Sequence, residues 1–258
     1  MNKCVLITGA TSGIGMATAH EFAAHGYDLI LTGRRRERLS SIQDEIIKTN
    51  AVDIEILSFD VRNYEECATA VASITKPIDV LVNNAGLARG LDFVHEGNID
   101  HWNEMIDTNV KGLMYMTRLV SPRMAERKSG HIINLGSSAG KEVYPRGNAY
   151  CATKFAVEGF TKAIRTDLHA HNVRVSLISP GHVEETEFAR VRFDWDTERA
   201  KIYDDFNPLT SKDIAETIYF IASRPPHVNI NDIFLMGTQQ ASNMIIDRSG
   251  RKYDQKKM

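Results

Sequence analysis

Tyr150 and Lys154 stand four positions apart at the start of a strongly helical stretch, Tyr150-Cys151-Ala152-Thr153-Lys154, a spacing that sets both side chains on one helical face. A phenol ionises near pH 10, so acid and base work near neutrality requires stabilising its anion by about 4 kcal/mol. One ammonium 4 Å away supplies about 1 kcal/mol in bulk water and about 4 kcal/mol at an effective dielectric near 20, so the pair works only in a partly enclosed pocket. With eight tyrosines and thirteen lysines in 258 residues, a chance pair at this spacing is unsurprising, and Tyr253 with Lys257 is a second one. Their surroundings separate them. Ser137 stands thirteen residues before Tyr150, at the end of the apolar run His131–Leu135, whereas the same offset from Tyr253 falls on Gln240. Neighbouring Ser138 competes for the role, and the offset favours Ser137.

A second chemical signal lies near the start of the chain. Thr8-Gly9-Ala10-Thr11-Ser12-Gly13-Ile14-Gly15 closes an apolar run and opens a helical pattern. Gly9 permits a tight turn, Gly13 lets the backbone approach a pyrophosphate, and Gly15 lets the helix pack close to the strand. The free N–H groups of the helix start then face the anion. The next strand ends in Thr32-Gly33-Arg34-Arg35-Arg36, with the first acid only at Glu37. An NAD site wants a carboxylate there for the ribose 2′-hydroxyl. A guanidinium instead forks onto a 2′-phosphate, and cations at a helix start are mildly unfavourable without such a partner. The run therefore predicts NADP, with Arg34 and Arg35 as the contacts.

These groups need a frame. Short apolar runs at Val5–Thr8, Asp28–Thr32, Ile54–Phe59, Val80–Asn83, His131–Leu135, Arg174–Ile178 and Ile233–Met236 alternate with helical spacing such as Ile14, Ala17, Phe22 and Ala23. Such alternation predicts an α/β fold: a single-domain, doubly wound parallel sheet of about seven strands with helices on both faces, Rossmann-type. At this length about three quarters of the unfolded surface can be buried, so neither a disulfide nor a metal is needed. The composition is 43% hydrophobic and 25% charged with net charge −2, which argues against disorder and against a dedicated nucleic-acid or anionic-membrane binder. Cys4, Cys67 and Cys151 are widely spaced and suit a reducing cytosol. The nine histidines show no HExxH pattern or ligand cluster, and no apolar run reaches membrane-helix length. No metal and a cytoplasmic location are expected.

Taken together, Gly9/Gly13/Gly15, Asn83-Asn84-Ala85-Gly86, Asn109, Ser137, Tyr150/Lys154 and Pro180-Gly181 occur in the order and spacing of the short-chain dehydrogenase/reductases. The sequence resembles the short single-domain branch of that family over residues 3 to about 240. The Gly-Arg-Arg after strand two, the run Glu185–Phe193 and His227-Val228-Asn229-Ile230-Asn231 are similar to its NADP-dependent serine/L-allo-threonine/3-hydroxy acid dehydrogenases. The resemblance implies that Tyr150 exchanges a proton with the substrate oxygen while hydride moves between carbon and nicotinamide C4. It implies that Lys154 lowers the Tyr150 pKa and holds the nicotinamide ribose, that Ser137 hydrogen-bonds the reacting oxygen, and that Asn109 anchors a water linking Lys154 to solvent. Further implied cofactor contacts are Thr11, Ser12, Ile14, Asp60, Val61, Asn84, Ala85 and Gly86, with Pro180, Gly181 and Val183 to Thr186 around the nicotinamide and phosphates. Asn83 is expected to tie strands together and Cys151 to pack.

Residues 182–209 read as a lid within a domain spanning 1–246, followed by a polar tail, 247–258, expected to be a frayed, solvated end. The carboxylate of a 3-hydroxy acid wants a cation in that lid, with Arg192 and Arg190 as candidates and an exposed arginine as the plain alternative. A broad carbonyl reductase, a 3-oxoacyl-thioester reductase and a non-catalytic NADP sensor are the competing functions. The resemblance also implies a homotetramer packed through the helices near 100–126 and 148–170 and the last strand.

Overall fold

A seven-stranded parallel sheet forms the centre of the molecule, in the order β3-β2-β1-β4-β5-β6-β7. The computed structural model describes residues 2–252. The strands are β1 Cys4–Ile7, β2 Asp28–Gly33, β3 Ile54–Ser58, β4 Val80–Asn83, β5 Gly130–Leu135, β6 Val173–Pro180 and β7 Asp232–Leu235. Each lies within about two residues of the apolar run that predicted it. The helices are α1 Gly13–Ala24, α2 Arg36–Ile47, α3 Tyr64–Ser73, α4 Ile99–Ile106, α5 Leu113–Arg127, α6 Asn148–Leu168, α7 Phe188–Arg192 and α8 Ser211–Ala222.

The runs are apolar throughout because both faces of the sheet are covered. Val5, Ile7, Leu29, Leu31, Val80, Val82 and Ile133 share one core with Phe22 of α1, Ile42 of α2 and Ile218 of α8. Leu6, Ile30, Leu81, Ile132 and Val175 share the other with Val71 of α3, Val120 of α5 and Ile164 of α6. Period-two alternation thus divides each strand between two layers of helices. Asn83 and Asn134, register partners on β4 and β5, are joined by a 2.9 Å hydrogen bond and reach Thr117 and Thr161 at 3.0 and 2.9 Å. Asn83 therefore ties strands and helices together, as its sequence setting suggests.

Local signals fix where helices begin. Asn63 and Asn98 accept bonds from first-turn N–H groups of α3 and α4, and Thr210 with Asp213 forms a capping box on α8. At α1 no side chain caps the start and the first turn has no acid, so its N–H groups stay open to an anion. The stretch expected as one helix near 100–126 is interrupted by a π-helical turn over Asp107–Gly112, a geometry whose wide turn commonly marks functional sites. Strand order reverses between β1 and β4, and the crevice at the carboxyl ends there is where sheets of this kind bind ligands.

Candidate active site

A cleft of about 480 Å³ opens over the carboxyl ends of the strands and runs from Arg34 and Arg35 to Tyr150, Lys154 and Arg192. Ser137, extended just after β5, accepts a 3.1 Å bond from the Ala139 N–H and acts on the Tyr150 phenol, drawing its pKa down. Ser138 also lines the cleft, yet Ser137 is the serine that acts on the phenol's ionisation. Tyr150 sits in the first turn of α6 and Lys154 one turn on, both buried. The Lys154 Nζ donates to the Leu135 carbonyl at 3.0 Å and lies 5.9 Å from the Tyr150 ring centroid.

Burial dominates the ionisation of both groups. It pushes the Tyr150 phenol above its ordinary range, with Ser137 and Arg192 pulling the other way. It lowers the Lys154 ammonium to about 8. Tyr150 is therefore a protonated acid in the free protein, and Lys154 is poised near working pH.

Asn109 lies in the π-helical turn and is buried. Its Oδ1 accepts from the Leu87 N–H at 2.8 Å, while Nδ2 donates to the Leu87 carbonyl at 2.8 Å and to Thr153 at 3.1 Å. The side chain thus clamps the segment after Gly86 onto α6, and its amide is engaged by protein rather than turned to the cleft.

On the cofactor side, Gly9, with φ +66°, and Gly15 are demanded by close approach. A Cβ on Gly9 would stand 2.9 Å from Ala85 Cα, and one on Gly15 would overlap the Gly9 carbonyl. Asn84 holds this turn by donating to the Thr8 and Gly9 carbonyls at 2.8 and 3.1 Å. Gly9, Thr11, Ser12, Gly13, Ile14, Arg34, Arg35, Asp60, Val61, Asn84, Ala85 and Gly86 line the cleft, as do Pro180, Gly181, Val183 and Thr186. Gly15 and Asn109 stand behind it and shape it. Arg34 is exposed, 3.9 Å from an Asp60 oxygen. Arg62 grips the Asp60 carboxylate, which is drawn below its ordinary range despite partial burial.

The lid supplies the other end. Arg192, the last residue of α7, is buried, donates to the Gly90 carbonyl at 3.2 Å, and sets its Cζ 5.4 Å from the Tyr144 ring and 5.8 Å from the Tyr150 ring. No carboxylate pairs with it among the described residues. Phe188 meets Tyr150 edge-on at 5.6 Å. Arg190 and Trp195 are exposed and do not line the cleft, so of the two candidate arginines only Arg192 faces it. The sequence reading passed over Tyr144, His182 and Tyr203, which complete this wall. An aromatic residue in a segment otherwise rich in charge was the available signal for Tyr203.

The tail expectation needs correcting for residues 247–252. They are largely solvated but pinned: Gly250 N–H bonds the Asp205 carbonyl, Lys252 N–H bonds Asn207, and Arg248 and Arg251 pair with Asp205 and Glu184 of the lid. Tyr253 and Lys257 lie outside the described residues. Among the described residues, no three potential ligands gather into a metal site and no helix is long and apolar enough to cross a membrane.

Residues 3–197 match the family model of the short chain dehydrogenases. The NADP-dependent 3-hydroxy acid dehydrogenase YdfG of Salmonella typhi is 47% identical over 250 residues, covering 95% of this chain and 99% of the relative. Sulfoacetaldehyde reductase of Chromohalobacter salexigens is 42% identical, covering 93% and 96%. The structure of a closed form of serine dehydrogenase complexed with NADP+ is 45% identical and superposes with a TM-score of 0.89 over 92% of this chain and 96% of that one. Within the family the chain thus resembles the 3-hydroxy acid dehydrogenase subgroup. Matched in fold and across nine tenths of its length, the chain belongs to the short-chain dehydrogenase family.

Proposed function

We infer that the chain oxidises a hydroxyl group of a short 3-hydroxy acid, of the size of serine, L-allo-threonine or 3-hydroxypropionate, or reduces the matching carbonyl, with NADP. The observation that carries the substrate class is Arg192: a buried guanidinium without a carboxylate partner, beside the acid Tyr150. Burying a charge unpaired is costly, and an incoming carboxylate offsets that cost while setting its hydroxyl toward Tyr150. The names of all three relatives fit a short substrate bearing an acid group.

The chain is an NADP-dependent oxidoreductase acting on CH–OH groups, and the residues present fit the cofactor. The glycine turn forms a cradle that a Cβ would fill, the α1 start is uncapped, and Arg34 and Arg35 close the far end. Gly9 to Ile14 would hold the pyrophosphate, Asp60 and Val61 the adenine side, Arg34 and Arg35 the 2′-phosphate, and Lys154 with Pro180 to Thr186 the nicotinamide end. When bound, NADP supplies the hydride acceptor or donor. Tyr150 holds and moves the proton at the substrate oxygen. Ser137 donates a hydrogen bond to that oxygen as charge develops. Lys154 stabilises the phenolate by charge, and Arg192 adds a second cation near the ring. Asn109 positions these groups through Leu87 and Thr153.

A homotetramer is proposed as the working assembly. Ile106, Phe155, Phe220 and Phe234 are large apolar side chains left exposed on α4, α6, α8 and β7, and sedimentation would report the assembly.

Initial rates with L-serine, L-allo-threonine and 3-hydroxypropionate, beside uncharged alcohols and diketones of similar size, test the substrate class. Preference for the acids by about tenfold or more in kcat/KM, near 1.4 kcal/mol, supports it. Equal turnover of uncharged compounds would make the chain a broad carbonyl reductase, and turnover of acyl thioesters alone a 3-oxoacyl-thioester reductase.

A further inference from the structure

The carboxylate of Glu187 ties the lid to the glycine turn. Glu187, just before α7, accepts from Arg35 Nη1 at 3.0 Å, from Arg35 Nη2 at 2.8 Å and from the Ser12 hydroxyl at 3.0 Å. Arg35 Nη2 also donates to the Thr11 hydroxyl at 2.8 Å. Neighbouring Thr186 lies on the same turn: a Cβ on Gly13 would stand 3.1 Å from the Thr186 Cβ. An anion is thus gripped by a guanidinium fork and a hydroxyl beside the uncapped start of α1. Those are the donors a phosphate monoester would seek. Two anions on one guanidinium repel each other, so a nucleotide phosphate and Glu187 compete for the seat. Arg35 and Ser12 hold the Glu187 carboxyl below its ordinary range, so it competes as an anion at neutral pH.

We propose that Glu187 is an internal stand-in for the cofactor's 2′-phosphate, a latch that holds the lid on the glycine turn until a phosphate-bearing nucleotide takes Arg35 and Ser12. The inference rests on reading Arg35 as a 2′-phosphate contact. A nucleotide lacking that phosphate leaves the Arg35–Glu187 pair in place, which makes Glu187 a specificity-determining residue. The latch also reaches the substrate. Glu187 leads directly into the helix that lays Phe188 on Tyr150 and carries Arg192, so the state of the phosphate seat is communicated to the carboxylate-binding end.

The test uses the cofactor-free protein and two readouts apart from turnover. Dissociation constants for NADPH and NADH are measured by fluorescence titration for wild type and Glu187→Gln. Amide exchange over residues 184–192 is followed with 2′,5′-ADP or 5′-AMP. Glu187→Gln should bind NADPH about two- to fivefold tighter, the scale of a partly exposed ion pair, and leave NADH within about twofold. Exchange over 184–192 should quicken in the variant, and in wild type with 2′,5′-ADP but not with 5′-AMP. Unchanged or weaker NADPH binding by Glu187→Gln, or equal loosening by 5′-AMP, would overturn the latch. A wild type that binds NADPH no tighter than NADH would overturn the assignment of Arg35 itself. A selective wild type with a silent Glu187→Gln overturns the latch alone.

Discussion

Arg192 and Lys154 flank Tyr150 at nearly equal range, with Cζ at 5.8 Å and Nζ at 5.9 Å from its ring centroid. One cation comes from the lid and the other from the same helix as the phenol. The lid thus places a second cation beside the acid, and on the proposed reading substrate anchoring and proton transfer share one residue.

Replacing that residue should separate charged from uncharged substrates. Arg192→Met keeps bulk and removes charge. A charged hydrogen bond contributes about 1.5–3 kcal/mol, so KM for 3-hydroxy acids should rise by roughly ten- to a hundredfold while KM for neutral ketones changes little. Steady-state kinetics on both classes checks this. Equal rises in KM for both would remove the carboxylate role.

The pH dependence follows from Lys154. Its ammonium titrates at about 8 in the folded free protein against about 10.4 unfolded. Activity that needs the charged form should fall as pH rises through about 8, visible as the alkaline limb of kcat/KM. Stability runs the other way. The unfolded chain binds the extra proton between the two values, so stability rises across that window and the full penalty applies below pH 8. Lys154→Met should therefore abolish turnover yet gain on the order of 1–3 kcal/mol in urea unfolding at pH 7. A loss of stability would contradict the cost assigned to this buried charge.

At the other end of the cleft, Arg34→Ala and Arg35→Ala should each weaken NADPH by about tenfold or more, the scale of a charge-assisted bond, and spare NADH. Calorimetric titration measures both. Parallel losses for the two nucleotides would place these arginines away from the 2′-phosphate.

Asn109 makes three side-chain hydrogen bonds in a buried site, two of them to the Leu87 backbone. Asn109→Leu leaves those backbone groups unpaired, so unfolding free energy should fall by about 2–4 kcal/mol. A variant that loses activity at unchanged stability would show that its clamp on Leu87 is incidental.

Much of this was legible in the residues. Apolar runs without polar alternation announced buried parallel strands, and Ser137, Tyr150 and Lys154 were found because their spacing is fixed by a strand end and one helix turn. Arg35 was recognised by type, but its partner was not: Glu187 is 152 residues away, and no local pattern links a strand end to a lid. The same holds for Asn109, whose amide contacts depend on a π-turn that a regular helical period does not signal. The tail read as frayed because it is polar, whereas its anchors, Asp205 and Glu184, become neighbours only once the lid folds back.

The most direct test of the account is the rate of absorbance change at 340 nm with 3-hydroxypropionate, comparing NADP with NAD and wild type with Tyr150→Phe. NADP should be reduced at least about tenfold faster than NAD, with a loss of about a hundredfold or more when the phenol hydroxyl is removed. Equal use of the two nucleotides, or a Phe variant that keeps its rate, would contradict it.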